Sequence, residues 1–458
     1  PPRSTLFPYT TLFRSKKELK APKTDTGISL YEFYDMSLEE LNNVKATGVP
    51  PELEQFINDL ISVSTEKAVS TKNNPNIVSV ITAEEIANAG YRDLLDVLNM
   101  VPGFHFALDR DGRVGLGIRG NWANEGKVLL MVNGMEMNDI YASNLYFGNE
   151  FPVDLIERIE IIRGPGSAIY GGFAEFGVIN IITKDVNTLS GLSVNGTFGR
   201  MDHSVGRFTQ SLYIGNKWEK ASFSMLSYNG IGQRSDRNNY AFYYDKIHDR
   251  TKIGDFATLN GNSDLNPKFS QMNISFKNLT FTTTTSFYDV TNVDVLDENK
   301  NRPERWGATI NNTQFKYEKH FSPKFTLTPS INIINSFPFS EEIQDSIKKG
   351  NKKELEGNIA RLKGKIFADY ELSHRISLTG GTDVYSDYAK AQTNTKFYVG
   401  DKNIQYTNTG IYAQGLFRLP AFNITAGARF DNHSEFGSSF VPRDRKSTRL
   451  NSSHVSQS

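Results

Sequence analysis

The chain has 458 residues, and its 51 lysines and arginines balance 51 aspartates and glutamates, so the formal net charge is zero. This balance gives no general attraction to nucleic acid, and the absence of cysteine excludes disulfides and thiolate metal sites. The 36 glycines supply the turns that an all-β protein needs. No run of about 18 apolar residues occurs, which excludes a helical membrane span. Barrel strands are not excluded, because their apolar and polar residues alternate and form no such run.

The two ends of the chain differ from the rest. Residues 1–16 and 445–458 resemble translated sequencing adaptor, so we treat both as non-native tails and exclude them from fold reasoning. A secretion signal is the alternative for the first, but that segment lacks a continuous apolar core and has Pro8 in its middle. We expect the natural N-terminus and its signal peptide to lie outside this sequence.

Residues 17–71 form a polar N-terminal segment with two amphipathic pieces. A short capped helix is predicted at Met36–Leu41, and Asp59–Thr65 is a strand-like stretch.

Residues 72–184 alternate short strands with helices, which predicts a small α/β domain. The β-branched run Ile77–Thr82 is a strand, and Thr82 with Glu85 forms a capping box for a helix beginning near Ala83. A second helix is predicted over Arg92–Asn99. Further strands are predicted at Gly115–Arg119 and Lys127–Val132, and Asn133-Gly134 indicates a hairpin turn.

A glycine-rich loop at Arg163–Gly172 leads into the β-branched run Val178–Thr183, which predicts a compact turn followed by a buried strand. A phosphate-binding loop would need Gly-Lys-Ser/Thr, or Gly-x-Gly-x-x-Gly opening a helix. Neither pattern occurs here, so no nucleotide site is predicted.

Several short motifs occur one after another along this domain. Ala89–Leu95, Val101–Gly103, Ile118–Gly120, Leu129–Gly134 and Ile156–Pro165 precede the glycine-rich loop. In order and spacing they resemble the plug domain of TonB-dependent outer-membrane receptors. The residues that carry this plug motif are Gly120, Gly134, Gly164, Pro165, Gly166, Tyr170, Gly171, Gly177 and Asn180.

Residues 185–444 change to a period of two, with apolar residues alternating with small polar ones. About eleven such segments, each the length of a membrane strand, are predicted near residues 190, 204, 218, 267, 279, 308, 325, 357, 376, 408 and 421. Tight connections are expected at Gly215–Lys217, Ser322-Pro323 and Ser373-His374. Long polar connections are expected at Ile231–Asn266, Val290–Gly307 and Phe337–Gly357.

This asymmetry of short and long loops is typical of outer-membrane barrels, although strand alternation alone would also fit a soluble β-sandwich. The predicted fold class is therefore an α/β plug domain followed by an antiparallel transmembrane β-barrel, truncated to about half of the roughly 22 strands of plugged transporters. Such a fragment would expose open sheet edges and an uncovered lipid face, so we expect it to aggregate.

The resemblance implies an outer-membrane receptor of a Gram-negative bacterium that takes up a scarce nutrient, such as a ferric siderophore or cobalamin. Its implied partners are outer-membrane lipid, the small-molecule nutrient and a TonB-type energy-transducing protein, with no nucleic acid. A receptor for binding, signalling or adhesion without net transport is an alternative, and so is a non-functional fragment. No catalytic arrangement, cofactor or metal site is predicted, because the histidines are scattered without ligand spacing.

Members of the family pair with the energising partner through a segment called the TonB box, which adds a strand to the partner's sheet. The candidate residues are Asp59, Leu60, Ile61, Ser62, Val63, Ser64 and Thr65. Val44–Val49 is a competing segment, and a disordered tether is a further alternative.

The family also suggests roles for individual plug residues. Arg119 and Arg163 are expected to pair with barrel carboxylates and lock the plug reversibly, although ordinary exposed arginines are the alternative. Outward plug loops are expected to face the ligand. The candidate ligand-facing residues are Arg110, Trp122, Asn124, Asp139, Tyr141, Asn144 and Tyr146.

Overall fold

A computed structural model describes residues 60–61, 69–70, 78–108, 114–123, 126–141, 143–147, 151–164, 166–237, 259–293, 303–342, 352–373, 375–391, 403–419 and 422–448. Within these ranges, no helix has both the length and the apolar character needed to cross a membrane. Two short strands, β1 (Leu60–Ile61) and β2 (Val69–Ser70), come first in the chain.

The plug domain follows and contains two small sheets and three short helices. Its strands are β3 (Val78–Thr82), β4 (Phe104–Leu108), β5 (Val114–Ile118), β6 (Asn121–Trp122), β7 (Val128–Val132), β8 (Met135–Glu136), β9 (Ile156–Arg163) and β10 (Gly177–Thr183). Its helices are α1 (Ala83–Ala89), α2 (Leu94–Asn99) and α3 (Ser167–Tyr170), and a 3-10 turn spans Val153–Leu155. One sheet has the order β3-β9-β10-β7-β8, and the other has the order β4-β5-β6.

The start of α1 confirms the predicted capping box. The Thr82 hydroxyl accepts a hydrogen bond from the Glu85 amide at 3.2 Å, and the Glu85 carboxylate accepts one from the Thr82 amide at 2.8 Å. Helix α2 begins at Leu94 rather than at the predicted Arg92. The reason is local, because the Asp93 carboxylate accepts from the Asp96 amide at 3.1 Å and caps the helix there.

Strand β10 lies at the centre of the larger plug sheet, antiparallel to β9 and parallel to β7. A Cβ at Gly177 would lie 2.7 Å from the Ile162 carbonyl oxygen, so only glycine lets β10 approach β9 this closely. The predicted hairpin is also present. Asn133 and Gly134 both have positive φ, 50° and 79°, and they turn β7 back into β8. Strand β4 has no counterpart among the predicted elements.

The second half of the described chain is one antiparallel sheet of 13 strands. They are β11 (Gly191–Arg200), β12 (Val205–Lys217), β13 (Ala221–Gly232), β14 (Lys268–Phe276), β15 (Leu279–Val293), β16 (Pro303–Tyr317), β17 (Lys319–Ser322), β18 (Phe325–Glu342), β19 (Lys352–Ser373), β20 (Ile376–Ala391), β21 (Asn403–Arg418), β22 (Phe422–His433) and β23 (Gly437–Thr448). Each strand pairs with its neighbour in sequence, except that the short β17 branches off and pairs with β18.

Each of the eleven predicted barrel segments coincides with a strand, whereas β17 and β23 were not predicted. Several predicted boundaries are wrong. Gly215–Lys217 belongs to β12, so the turn lies at residues 218–220, and β15 and β18 run into their predicted loops as far as Val293 and Glu342. Strand β23 continues to Thr448, beyond the predicted end at residue 444, because ladder hydrogen bonds need only extended backbone.

The two faces of this sheet differ as the period of two predicts. On one face, large apolar side chains such as Leu212, Met225 and Ile411 are exposed. On the other, Ser211, Leu226 and Tyr412 are buried. The second face, called the inner wall below, contacts the plug.

Candidate functional site

The candidate site is the junction between the plug and the inner wall. One edge of the junction is an ion pair, in which Arg207 of β12 donates to the Asp93 carboxylate at 2.5 Å. The same guanidinium donates to the Arg92 carbonyl at 2.6 Å. The residue that caps α2 therefore also binds the wall.

Neutral hydrogen bonds join the middle of the junction. The Gln271 side-chain oxygen on β14 accepts a hydrogen bond from the side-chain NH2 group of Asn133 at 3.0 Å and another from the Thr183 hydroxyl at 2.9 Å. The Ser211 hydroxyl on β12 donates to the Asp154 carboxylate at 2.5 Å. The hairpin turn at Asn133 thus contributes directly to docking.

Glu136, at the end of β8, makes the most concentrated set of wall contacts. Its carboxylate accepts from Arg361 Nη1 at 3.2 Å and forms an ion pair with Lys363 Nζ, both on β19. Its backbone carbonyl accepts from the Asn312 amide on β16 at 2.9 Å. Burial opposes ionisation of Glu136, but the charges of Lys363 and Arg361 outweigh it and lower its pKa to about 2. Glu136 is therefore anionic at neutral pH.

An aromatic and polar contact joins the loop after β8 to the wall. Tyr146 stacks on Tyr288 with ring centroids 5.2 Å apart and lies 5.7 Å from Trp306. The Tyr146 hydroxyl donates to the Asp139 carboxylate at 3.0 Å, and the Ser336 hydroxyl donates to the same carboxylate at 2.5 Å.

The glycine-rich loop meets the wall at Arg429 of β22. A Cβ at Gly171 would lie 3.4 Å from this guanidinium, and Gly171 has φ of 80°. Arg429 is 2% exposed and is held by Asp383 at 2.8 Å and by Asp431 at 2.7 Å. The loop therefore packs against an arginine whose position the barrel fixes.

Among the described residues, the contacts of Arg119 and Arg163 are with plug backbone rather than with barrel carboxylates. Arg119 donates to the Arg163 carbonyl at 3.2 Å, and Arg163 donates to the Pro102 carbonyl at 3.4 Å. In the part of the chain that the structure describes, the charges at the junction are reversed. The plug supplies carboxylates, Asp93 and Glu136, and the barrel supplies the cations.

Most predicted ligand-facing residues that the structure describes are enclosed. Asp139, Asn144 and Tyr146 are buried, because their loop packs on the wall, and Tyr141 is partly buried. Trp122 is 43% exposed. The predicted residues Arg110 and Asn124 lie outside the described residues.

The plug-motif residues have structural roles. The Asn180 side-chain oxygen accepts from the Gly134 amide at 3.0 Å, which ties the hairpin to β10. A Cβ at Gly166 would lie 2.8 Å from a methyl group of Val178. Tyr170 packs against the apolar cluster around Val178, while Gly120 and Gly164 have positive φ, 83° and 144°. Pro165 lies outside the described residues.

In the candidate TonB box, Leu60 and Ile61 form β1, while Asp59 and residues 62–65 lie outside the described residues, as does the competing Val44–Val49. Among the described residues, no group of three or more acidic or histidine side chains could hold a metal ion. The junction thus combines ion pairs and hydrogen bonds with aromatic and apolar contacts.

Sequence reasoning missed the wall residues Arg207, Arg361 and Arg429. Each is an inward-facing cation on a barrel strand. A charged residue at an inward position of a barrel strand was the signal that could have identified them.

Comparison with known proteins agrees with this architecture. Residues 70–178 match the family model of the TonB-dependent Receptor Plug Domain, and residues 235–458 match that of the TonB dependent receptor-like beta-barrel. The vitamin B12 transporter BtuB of Vibrio vulnificus is 40% identical over 119 residues, which are 26% of this chain and 19% of that protein.

Two solved structures share the fold. The ferric enterobactin receptor PfeA of Pseudomonas aeruginosa, in a complex with enterobactin, has a TM-score of 0.63 and 17% identity, covering 83% of this chain and 61% of that one. The siderophore receptor PirA of Acinetobacter baumannii has a TM-score of 0.60 and 18% identity, covering 82% and 59%. This chain thus spans less than two thirds of each relative's length.

The predicted fold class, a plug followed by barrel strands, is therefore confirmed. The chain belongs to the TonB-dependent receptor family, whose members are outer-membrane proteins of Gram-negative bacteria.

Proposed function

We propose that the receptor containing this chain takes up a scarce nutrient, such as a ferric siderophore or cobalamin, with energy from a TonB-type partner and without covalent chemistry. The observation that carries this proposal is the polar junction. Arg207–Asp93, Gln271–Thr183 and Arg361–Glu136 are ion pairs and hydrogen bonds, which can break and re-form. A plug held in this way can move aside and return.

The named relatives support the candidate nutrients. BtuB is a vitamin B12 transporter, and the P. aeruginosa receptor binds enterobactin in its structure. The matched part of BtuB is short, so both nutrients are candidates for this receptor.

We propose that Asp59–Thr65 contacts the partner by adding a strand to its sheet. Two features support this assignment. Leu60 and Ile61 are already extended as β1, and the family plug model begins shortly afterwards, at residue 70.

We propose that the nutrient first meets Arg110, Trp122, Asn124 and Tyr141. Asp139, Asn144 and Tyr146 would contact it only after their loop leaves the wall, since all three are buried in the docked plug. Arg119 and Arg163 remain candidates for a lock with carboxylates in the part of the receptor that its relatives have and this chain does not span.

The experiment uses the full-length receptor in a Gram-negative host that lacks its own receptors for both nutrients. Cells with and without the TonB-type partner receive radiolabelled cobalamin or radiolabelled ferric enterobactin. Accumulation of one nutrient only in cells that have the partner would support uptake. Surface binding without accumulation in either strain would contradict it and favour a binding or signalling receptor.

Proline substitutions locate the TonB box in the same assay, because proline removes a backbone donor from a paired strand. We expect Ile61→Pro to abolish accumulation while surface binding of the nutrient persists. The matched control is Val44→Pro in the competing segment, which should accumulate nutrient like the wild type. The reverse result would assign the box to Val44–Val49.

A further inference from the structure

Three hydrogen-bond donors on the inner wall converge on one plug residue. Arg361 Nη1 and Lys363 Nζ contact the Glu136 carboxylate, and the Asn312 amide donates to the Glu136 carbonyl. All three donors are side chains of the inner wall. Asn312 lies opposite Ile334, and Ile334 lies opposite Arg361, so the row crosses β16, β18 and β19.

The wall holds Arg361 in place independently of the plug. Its Nε and Nη2 donate to the Asp387 carboxylate at 2.6 and 2.7 Å, and its guanidinium lies 4.3 Å from the centre of the Tyr385 ring. This bidentate pair leaves Nη1 directed at the position that Glu136 fills. Because both bonds to Asp387 lie within the wall, the orientation of Arg361 should persist when Glu136 leaves.

Asn312 adds a second polar group to the same place. It is fully buried, and its side-chain oxygen has no hydrogen-bond partner among the described residues, although its amide serves Glu136. The side-chain NH2 group is the part of Asn312 that can bind an anion, because an anionic oxygen accepts hydrogen bonds and cannot donate one to the side-chain oxygen.

Glu136 is well placed to leave this position. It lies on β8, which is two residues long and forms the edge of the plug sheet beside β7. If the plug moves, Arg361 Nη1, Lys363 Nζ and the Asn312 amide lose their shared acceptor together. Cations that are enclosed in this way need a new anionic partner.

We propose that Arg361, Lys363 and Asn312 form an anion-binding site on the inner wall, which Glu136 occupies while the plug is docked. Once the plug moves, the site takes an anionic group of the passing nutrient that bears at least two acceptor oxygens. The Glu136 carboxylate stands in for that group. The inference rests on the proposed uptake function, and it favours an acidic nutrient, since a neutral one would not replace the negative charge of Glu136.

The test measures binding of inorganic phosphate to the purified full-length receptor by calorimetry at low ionic strength. In the wild type, Glu136 fills the site, and binding should be weak. Glu136→Ala vacates it and should bind phosphate about tenfold more tightly or better, the effect expected of a charge-assisted hydrogen bond. The double variant Glu136→Ala with Lys363→Gln should lose this gain.

The matched control is Glu175→Ala, which removes a carboxylate from an exposed ion pair with Lys127 within the plug. It should bind phosphate like the wild type. Equal phosphate affinity in Glu136→Ala and the wild type would overturn the proposal. So would a gain that survives Lys363→Gln, because the anion would then bind elsewhere.

If Glu136→Ala does not give folded receptor, Glu136→Ser, whose side chain is also too short to fill the site, is tested by thermal unfolding with and without phosphate. A ligand that binds the folded state raises its stability, so phosphate should raise the unfolding temperature of Glu136→Ser and leave that of Glu136→Ser with Lys363→Gln unchanged. Equal shifts in the two variants would overturn the proposal. These assays need neither the partner nor the nutrient, so they can fail while the uptake experiment succeeds, and the reverse.

Discussion

The plug sheet and the barrel sheet use β-strands in opposite ways. In the plug, all five residues of β7 are buried, as are most of β10. In the barrel, the burial of β21 alternates residue by residue over much of its length. The plug strands are covered on both faces by their own domain, whereas each barrel strand has one face toward the plug and one toward lipid.

The plug core and the junction with the barrel are two sources of stability. The plug is held together by an apolar cluster that includes Val97, Leu130 and Ile179, and the same cluster reaches Tyr213 and Phe269 of the inner wall. Ion pairs and hydrogen bonds add the polar part of the attachment to the barrel. Substitutions in the two places should therefore have different signatures.

Trp306 can report on docking, because its ring lies against Tyr146 of the plug. The chain has two other tryptophans, Trp122 and Trp218, and replacing these and any tryptophan outside this sequence by phenylalanine leaves Trp306 as the single tryptophan. Urea titrations of the purified full-length receptor can then follow the junction by Trp306 emission and global unfolding by circular dichroism.

The largest effect should come from Arg361→Met. This change leaves the carboxylates of Glu136 and Asp387 without their guanidinium partner, and breaking such an enclosed pair costs about 3–5 kcal/mol. We expect the Trp306 transition to move to lower urea while the unfolding transition of the plug core stays in place. A joint shift of both transitions would show that the junction and the core are one cooperative unit.

The next effect should come from Ile179→Ala, at the centre of the plug. Ile179 is fully buried, so the change should lower the free energy of unfolding by about 2–5 kcal/mol. The matched control is Ile411→Ala on the outer face of β21, where the side chain is 59% exposed. That change should cost less than about 1 kcal/mol. Similar losses at both positions would contradict the comparison.

A smaller effect should follow acidification. The pKa of Glu136 in the docked plug is about 2, below its ordinary value of 4.5. Its contribution to docking is therefore fully present above about pH 4.5 and is lost as the pH falls toward 2. In Trp306 titrations, wild type and Glu136→Gln should differ most near neutral pH and converge near pH 2. A difference that is constant with pH would contradict this.

The smallest effect should come from Lys127→Gln. Lys127 and Glu175 form an ion pair of 2.8 Å inside the plug, but their side chains are 42% and 46% exposed. Solvent screens such pairs, so the free energy of unfolding should change by less than about 1 kcal/mol. A larger loss, measured by circular dichroism in urea, would mean that exposed charges hold the plug as firmly as its core does.

Features that depend on neighbouring residues could be predicted from the sequence. The capping box at Thr82 and Glu85, the Asn133-Gly134 turn and the alternation of the barrel strands all depend on residues close together in the chain. Strand ends were less predictable, as β12 shows, because polar residues such as Asn216 are equally suited to a solvent-exposed strand end and to a turn.

The partners across the junction could not be predicted in this way. Arg361 meets Glu136 only because the barrel sheet packs against the plug, and the two residues are 225 positions apart. The sequence predicted ionic contacts with the barrel at Arg119 and Arg163, whose described contacts are with plug backbone. Likewise, Asp139 and Tyr146 were expected to be open to ligand, yet packing against the wall buries them.

The position of β3 in the plug has a mechanical consequence. This strand lies at the rim of its sheet with β9 as its single neighbour, whereas β10 has strands on both sides. A pulling force that enters from the residue-70 side reaches β3 first and loads its bonds to β9 before any others. The plug sheet should therefore lose its strands in small steps that begin at β3, and the central strand β10 should separate last.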